Sequence, residues 1–145
     1  MYYVWLMYYV LMRLQINCRK IVGGSGKGKA LVTNEAINFL TMVDTKRSII
    51  VDQNHELFGK SIKNIVLVFP NASGSTVGAY AIYSLKVNGV APIAVVCSNK
   101  ADIITASGCA ISNIPVVDML ERPVSHFLKS GMEISINADK GIAII

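Results

Sequence analysis

Apolar runs that alternate with helical stretches constrain the fold of this chain more than any other feature. "NIVLVF" (64–69) and "PIAVVC" (92–97) are continuous and rich in β-branched residues, which is typical of strands covered on both faces. Residues 76–87 between them read as a helix that ends at Asn88 and Gly89. A second helical stretch, "ADIITASGCA", leads to a third short strand, "IPVVDM" (114–119). This β-α-β-α-β order predicts parallel strands joined by right-handed crossovers.

The rest of the chain carries strand and turn signals. In the first half these are "LQINCRKI" (14–21), "ALVT" and "RSIIVD" (47–52), and at the end "MEISIN" and "GIAII" flank the hairpin turn "ADKG". We expect these strands to form a second sheet or a barrel wall against the parallel part. The sequence therefore predicts an α/β fold, a compact β/β/α domain.

Length and composition favour one domain with an unusual beginning. The chain has 145 residues, of which 52% are hydrophobic and 16% charged, enough for one hydrophobic core. Residues 1–12, "MYYVWLMYYVLM", are almost wholly apolar, but Arg13 ends the run well short of the roughly 20 residues of a spanning helix, and secretory flanks are lacking. We expect an over-extended start, with Met12 as the first residue and a domain over 13–145. A short interfacial anchor is the alternative.

Charge and cysteine content exclude several partners. The net charge is +5, and the 14 Lys and Arg are scattered rather than clustered, so neither nucleic acid nor a membrane is an expected partner. An anionic small molecule or an acidic subunit suits this surface. Cys18, Cys97 and Cys109 show no metal-binding spacing, which predicts no metal site in this chain alone. Free thiols in a reducing cytoplasm are expected.

Two other motifs are interpreted as structural. Gly23 through Lys29 fits GxxxxGK, but Ala30 replaces the required Ser or Thr and no helix signal follows, so a flexible Gly/Lys hairpin loop is favoured over a P-loop. His55 and His126 have no neighbour at a triad spacing. Each is interpreted as a surface or satisfied core residue.

The segment "FPNASGSTVGAY" is the strongest candidate for a site. It joins the buried strand 64–69 to a helix, and ligands in open α/β sheets bind where strands end and helices begin. Ser75 or Thr76 falls at that junction, and Gly74 and Gly78 permit close approach of a ligand to the backbone. A helix cap explains either hydroxyl equally well. "GSTVG" is not a GxSxG elbow.

Several segments resemble, in order, the small swivel-domain subunits of the aconitase X family. They are "INCRKI", "INFL", "VDQNHELFGKSI", "GSTVGAYAIYSLKVNGVAP" and "AISNIPVVD", and the resemblance runs from about Arg13 to the C-terminus. It implies an aconitase-like swivelling β/β/α domain, with a β-barrel-like sheet part beside the β-α-β-α-β part. It also implies a large subunit as partner, which would carry a [4Fe–4S]-type cluster.

The resemblance further implies dehydration of (R)-5-phosphomevalonate to trans-anhydromevalonate 5-phosphate in the modified mevalonate pathway to isoprenoids. The residue that matches the family's proton acceptor is Ser75, with Ser73, Gly74 and Thr76 shaping its pocket. Two alternatives stand beside this reading: another hydroxy acid, such as cis-3-hydroxy-L-proline, or a non-catalytic swivel module. A base and a Lewis acid are both needed for such a dehydration, and the Lewis acid would come from the partner.

The chain departs from the family pattern at two places. Family members usually carry glycine and a basic residue where Ala72 and Ser73 stand, and two glycines where Thr41 and Met42 stand. Asp44 matches an acidic position of the family. Without the basic neighbour, a Ser75 alkoxide would be less stabilised unless the large subunit supplies a cation.

Overall fold

The computed structural model describes residues 2–4 and 14–145. Residues 2–4 lie in an exposed helical turn, and the rest of the expected leader, 1–12, lies outside the described residues. Within the described part, no helix is long and apolar enough to cross a membrane.

The parallel part of the fold is confirmed. Strands β6 (Val66–Phe69), β7 (Ala94–Cys97) and β8 (Val116–Asp118) are adjacent and parallel. Helix α2 (Gly78–Val87) connects β6 to β7, and α3 (Ile103–Ile111) connects β7 to β8. The helix predicted over 76–87 begins two residues later, after a hydrogen-bonded turn. It ends as predicted at Asn88, followed by Gly89 at φ +71°.

The remaining strands extend this sheet on both sides. These are β1 (Gln15–Asn17), β2 (Arg19–Val22), β3 (Ser25–Val32), β9 (Glu133–Asn137) and β10 (Ile142–Ile144). The order is β1-β10-β9-β3-β6-β7-β8-β2, with β3 parallel to β6 and antiparallel to β9. The predicted terminal hairpin is β9–β10.

Barrel-like closure follows from this order. Strands β1 and β2 occupy opposite ends of the sheet, yet only Cys18 separates them along the chain. The sheet must curl until its two edges meet at that residue. The run predicted as one strand over 14–21 is therefore two strands, one at each edge.

Alternate residues of the parallel strands enter two separate cores. Leu67, Phe69 and Val95 face the layer of helices, whereas Val66, Val68 and Val96 pack inside the curled sheet with residues of β9 and β10. Both faces are covered, which explains why these strands read as continuous apolar runs.

The glycine-rich segment corrects the sequence interpretation. The flexible hairpin loop expected over 23–29 is instead most of β3, which pairs with β9 from Ser25 to Lys29 and with β6 from Ala30 to Val32. A Cβ on Gly26 would lie 2.9 Å from the carbonyl oxygen of Ile93, so close backbone approach, not flexibility, requires glycine. Most residues of the GxxxxGK match thus form a strand and not a loop at a helix N-terminus, in agreement with the rejection of a P-loop.

A small lobe follows β3. It contains helix α1 (Phe39–Met42), which the sequence did not predict, and strands β4 (Val43–Asp44) and β5 (Ile49–Ile50), which pair with each other. The strand expected over 47–52 is thus only two residues long. A 3-10 turn, Val124–His126, precedes β9.

Candidate active site

Four parallel strands, β3, β6, β7 and β8, end at the same edge of the sheet. The segments that follow them cover residues 33–38, 70–77, 98–102 and 119–122. The edge where such strands end is where α/β folds bind ligands. The predicted site residues Ser73, Gly74, Ser75 and Thr76 all lie in the second segment.

Ser75 lies at the first turn that leads into α2. Its hydroxyl oxygen accepts a hydrogen bond from the N–H of Val77 at 3.3 Å, and its carbonyl accepts the N–H of Gly78 at 2.9 Å. Ser75 therefore closes the turn before α2, but the N-cap residue of α2 is Val77 and no side chain caps the helix, so the helix cap expected at Ser75 or Thr76 is not formed. The residue is also exposed. An exposed hydroxyl just before a helix can carry negative charge on its oxygen, because the Val77 N–H and the helix dipole stabilise that charge.

Gly74 is held against the segment that follows β3. Its φ is +89°, and a Cβ there would collide with the side chain of Asn38. Asn38 caps α1 by accepting the N–H groups of Leu40 and Thr41 at 3.1 and 3.2 Å. The Ser73 N–H donates to the Ile37 carbonyl at 3.0 Å. Residues 70–77, the Ser75 loop, are thus held against α1, which contains Thr41 and Met42.

Asp102 fixes the Ser75 loop to the third segment. Its Oδ1 accepts the Ala72 N–H at 2.8 Å, and its Oδ2 caps α3 by accepting the Thr105 N–H at 2.9 Å. Nearby, the Asn99 amide donates to the side-chain oxygen of Asn71 at 3.1 Å. One carboxylate therefore sets the position of the Ser75 loop relative to α3.

Asp118 connects the third and fourth segments. Its carboxylate is fully buried and accepts two hydrogen bonds from Arg19, at 2.8 and 2.7 Å, and one from the Ala101 N–H at 2.7 Å. Burial raises the pKa of Asp118, but the hydrogen bonds from Arg19 and Ala101 outweigh it and hold the pKa below its ordinary value. Asp118 is therefore an ionised carboxylate, paired with Arg19, at the end of β8.

Asp44, the acidic residue expected from the resemblance, is engaged in its own turn. It accepts the side chain of Arg47 at 2.8 Å and the backbone N–H groups of Lys46 and Arg47. These bonds, that from the Arg47 side chain first, lower its pKa to about 2. Asp44 is therefore an anion that organises the β4–β5 turn.

The histidines behave as the sequence indicated. His55 is buried; its Nε2 donates to the Ala36 carbonyl at 3.2 Å and its Nδ1 accepts the Leu57 N–H at 3.0 Å, which assigns the Nε2–H tautomer. His126 is exposed. His55 is thus a satisfied core residue.

The thiols do not fit an iron–sulfur cluster. Cys97 and Cys109 are buried among apolar residues and Cys18 lies at the sheet closure. Burial raises the pKa of Cys109 to about 12 and that of Cys18 to about 11, and it raises the pKa of Cys97 as well, whereas cluster ligands are thiolates. Within 2–4 and 14–145, no group of three or more His, Cys, Asp or Glu is arranged to hold a metal ion.

Sequence reasoning missed the two carboxylates that shape the site, the half-buried Asp102 and the buried Asp118. Asp102 carried a detectable signal, since it immediately precedes a helical stretch in the position of an N-cap. Asp118 carried none, because its partner Arg19 is distant in sequence and is brought near only by the pairing of β2 with β8.

Comparison with known proteins agrees with the fold. The family model "Aconitase X swivel domain" matches residues 15–145. The phosphomevalonate dehydratase small subunit of Methanosarcina acetivorans is 44% identical over 128 residues, 88% of each chain, and that of Methanothrix thermoacetophila is 40% identical over 132 residues, 91% of this chain and 95% of the relative.

A solved structure is similar over nearly the same range. The crystal structure of Thermococcus kodakaraensis aconitase X in its holo-form matches with a TM-score of 0.84 and 41% identity, covering 91% of this chain and 98% of that one. The β-barrel-like closure and the β-α-β-α-β part expected of the family are both present. This chain therefore belongs to the aconitase X swivel domain family.

Proposed function

We propose that this chain is the small subunit of a hydro-lyase that dehydrates (R)-5-phosphomevalonate to trans-anhydromevalonate 5-phosphate. Relatives of nearly the same length, at 40–44% identity, are named phosphomevalonate dehydratase small subunits. The observation that carries the proposal is the exposed Ser75 hydroxyl at the start of α2, on the edge where the parallel strands end.

Ser75 acts as the proton acceptor in this proposal. The reaction removes a proton from carbon and a hydroxyl group from its neighbour, so the serine oxygen must be able to hold negative charge before it takes the proton. The Val77 N–H, 3.3 Å from that oxygen, and the N-terminus of α2 favour the charged form. Ser73, Gly74 and Thr76 set the shape of the loop around it.

The rest of the chemistry is assigned to the large subunit. We expect it to hold a [4Fe–4S]-type cluster that assists departure of the hydroxyl group, because the cysteines of this chain do not fit one. It also supplies a cation near Ser75, since Ser73 stands where the family usually has a basic residue. We place the enzyme in the cytoplasm, where free thiols such as Cys97 and Cys109 remain reduced.

Ser75→Ala in the reconstituted two-subunit enzyme tests the role of the hydroxyl. We expect turnover to fall by about 10²–10⁴-fold, the usual contribution of a general base, while the subunits still co-purify, because the side chain is exposed. Ser107→Ala, at an exposed serine on α3, is the control and should retain activity.

The same preparation tests the substrate and the alternative functions. Wild-type enzyme is assayed with 5-phosphomevalonate and with cis-3-hydroxy-L-proline, and we expect turnover of the first. Turnover of hydroxyproline alone would contradict the substrate assignment. Full activity of Ser75→Ala would instead favour a non-catalytic swivel module.

A further inference from the structure

Basic residues are rare at the sheet edge that carries Ser75. The four segments that follow the parallel strands contain two of them, Lys100 in 98–102 and Arg122 in 119–122. Both side chains are exposed, and within the part of the chain that the structure describes neither forms an ion pair. Each ammonium or guanidinium group is therefore available to an anion from outside the chain.

Hydrogen bonds on both sides of Lys100 hold its backbone beside the Ser75 loop. The preceding residue, Asn99, donates its side-chain amide to the Asn71 side chain at 3.1 Å. Two residues after Lys100, Asp102 accepts the Ala72 N–H at 2.8 Å. Lys100 thus lies between two contacts to the residues that begin the Ser75 loop, and its position relative to that loop is fixed.

Arg122 is held in a different place. The residue before it, Glu121, donates its N–H to the Asn17 carbonyl at 2.9 Å, and the Glu121 carboxylate accepts the Asn17 N–H at 2.8 Å. Asn17 ends β1, immediately before the residue at which the sheet closes. Arg122 is therefore attached to the barrel edge, whereas Lys100 is attached to the Ser75 loop.

The carboxylates near Lys100 in the fold are already engaged. Asp102 accepts two backbone N–H groups, and Asp118 is paired with Arg19 at 2.7 Å. A lysine ammonium group is a compact point charge with three donors, which suits the oxygens of a phosphate group. Lys100 is thus an unpaired cation on the segment next to the loop that carries the candidate proton acceptor.

We propose that Lys100 binds the phosphate group of the substrate. This inference rests on the proposed function, in which the substrate carries a carboxylate at one end and a phosphate at the other. Ser75 takes the proton next to the carboxylate, so that end lies at the Ser75 loop itself. Neighbouring strands lie about 4.8 Å apart, so a cation on the segment after the adjacent strand meets the far, phosphate end. Lys100 then favours a phosphorylated substrate over hydroxyproline, which has no phosphate.

Steady-state kinetics of the two-subunit enzyme with Lys100→Met tests this contact. We expect the KM for 5-phosphomevalonate to rise about tenfold or more, as for loss of a hydrogen bond between charged groups. The phosphate keeps its charge throughout the reaction, so kcat should change by less than about threefold. Lys100→Arg keeps the positive charge and should stay within about threefold of the wild-type KM. Arg122→Met is the matched control and should stay within about twofold.

Inorganic phosphate is the second probe. It should inhibit the wild-type enzyme competitively, and its inhibition constant should rise in Lys100→Met by about the same factor as the KM. The inhibition constant should not change in Arg122→Met. A raised KM with unchanged inhibition by phosphate would show that Lys100 binds the carboxylate end, and would overturn the proposal.

Other contrary results overturn the contact in different ways. An unchanged KM in Lys100→Met would show a solvated surface lysine. A lowered kcat with an unchanged KM would show that Lys100 stabilises the Ser75 oxygen instead. A raised dissociation constant between the subunits, measured by calorimetry, would show that Lys100 contacts the large subunit.

Failure of the proposed function gives distinguishable results. Full activity of Ser75→Ala, with the effect of Lys100→Met on KM intact, would overturn the chemical role of Ser75 and leave the phosphate contact standing. Turnover of cis-3-hydroxy-L-proline alone would overturn the substrate assignment and the phosphate contact together.

Discussion

The buried carboxylate of Asp118 gives the fold a defined acid sensitivity. Its pKa lies below the ordinary value of 3.8 because the hydrogen bonds from Arg19 and Ala101 outweigh the effect of burial. A lowered pKa in the folded state means that the ionised group stabilises the protein fully at neutral pH. That contribution is lost as the pH falls below about 4 towards the folded-state pKa.

Asp118→Asn tests this linkage. At pH 7 we expect the free energy of unfolding to fall by about 1.5–3 kcal/mol, the range for hydrogen bonds to a charged group. The difference between wild type and variant should shrink as the pH falls below about 4 and the wild-type carboxylate is protonated. Urea unfolding at pH 7, 4 and 2.5 measures it. A difference that stays constant with pH would show that the residue matters through shape rather than charge.

The residues of the candidate site differ in how well the sequence predicts them. Local signals, a buried strand, a glycine and a helix start, pointed to the loop that contains Ser75 and Thr76, whereas the choice of Ser75 came from the resemblance to the family and stays a prediction. The hydrogen bond from the Ala72 N–H to Asp102 joins residues 30 positions apart, and the pair Arg19–Asp118 joins residues 99 positions apart. No local pattern specifies such contacts, so the hydrogen bonds that hold the candidate site in place could not be predicted from the sequence.

At the scale of elements, α2 is held in place by close packing on α3. A Cβ on Gly108 of α3 would lie 2.8 Å from Ile82 Cδ1 and 3.1 Å from the Ala79 Cα of α2. Because α2 begins beside Ser75 and Asp102 caps α3, the spacing of these two helices determines where Ser75 lies relative to the start of α3.

Gly108→Ala sets two effects of opposite sign against each other. Alanine favours a helix over glycine by about 1 kcal/mol, whereas overpacking costs about 1–3 kcal/mol. We expect a net loss of about 1 kcal/mol in the free energy of unfolding, measured in urea, and a larger loss for Gly108→Val. Ala110→Gly, at an exposed position of the same helix, measures the propensity effect alone. A stabilised Gly108→Ala would show that the helices can separate without cost.

Prediction of elements succeeded where burial creates the pattern. The strands β6, β7 and β8 and both long helices were expected because their apolar runs are long and their ends carry clear signals. The first part of β3, Ser25–Lys29, was misread as a loop, since glycine ordinarily weakens strands, whereas the strand signal of "ALVT" was correct. Gly28 is required there because a Cβ would lie 3.2 Å from the Asn64 carbonyl oxygen, a constraint set by a different segment of the chain.

At the scale of the whole molecule, a second sheet or barrel wall was expected, but the residue at which the sheet closes was not. Closure depends on Cys18 passing the chain from one edge of the sheet to the other, and the alternation of "LQINCRKI" is compatible with one uninterrupted strand. Long-range pairing therefore decides the architecture. The short first strand, β1, completes the wall by pairing with β10.

Ile16→Ala tests whether this closure belongs to a single cooperative unit. Ile16 is fully buried inside the curled sheet and lies opposite Ala143 of β10. Removing its side chain leaves a cavity, for which we expect a loss of about 2–5 kcal/mol in the free energy of unfolding. Gln15→Ala, at an exposed position of the same strand, should change stability by less than about 0.5 kcal/mol.

The cooperativity of unfolding shows whether the curled sheet and the helix layer unfold together. If the curled sheet and the helix layer share strands β6, β7 and β8, a cavity in one core weakens both. Far-ultraviolet circular dichroism and hydrogen exchange of α2 amides should then report the same lowered stability in Ile16→Ala. A variant that loses protection in β1 and β10 while α2 keeps its wild-type stability would show instead that the barrel edge opens as an independent unit.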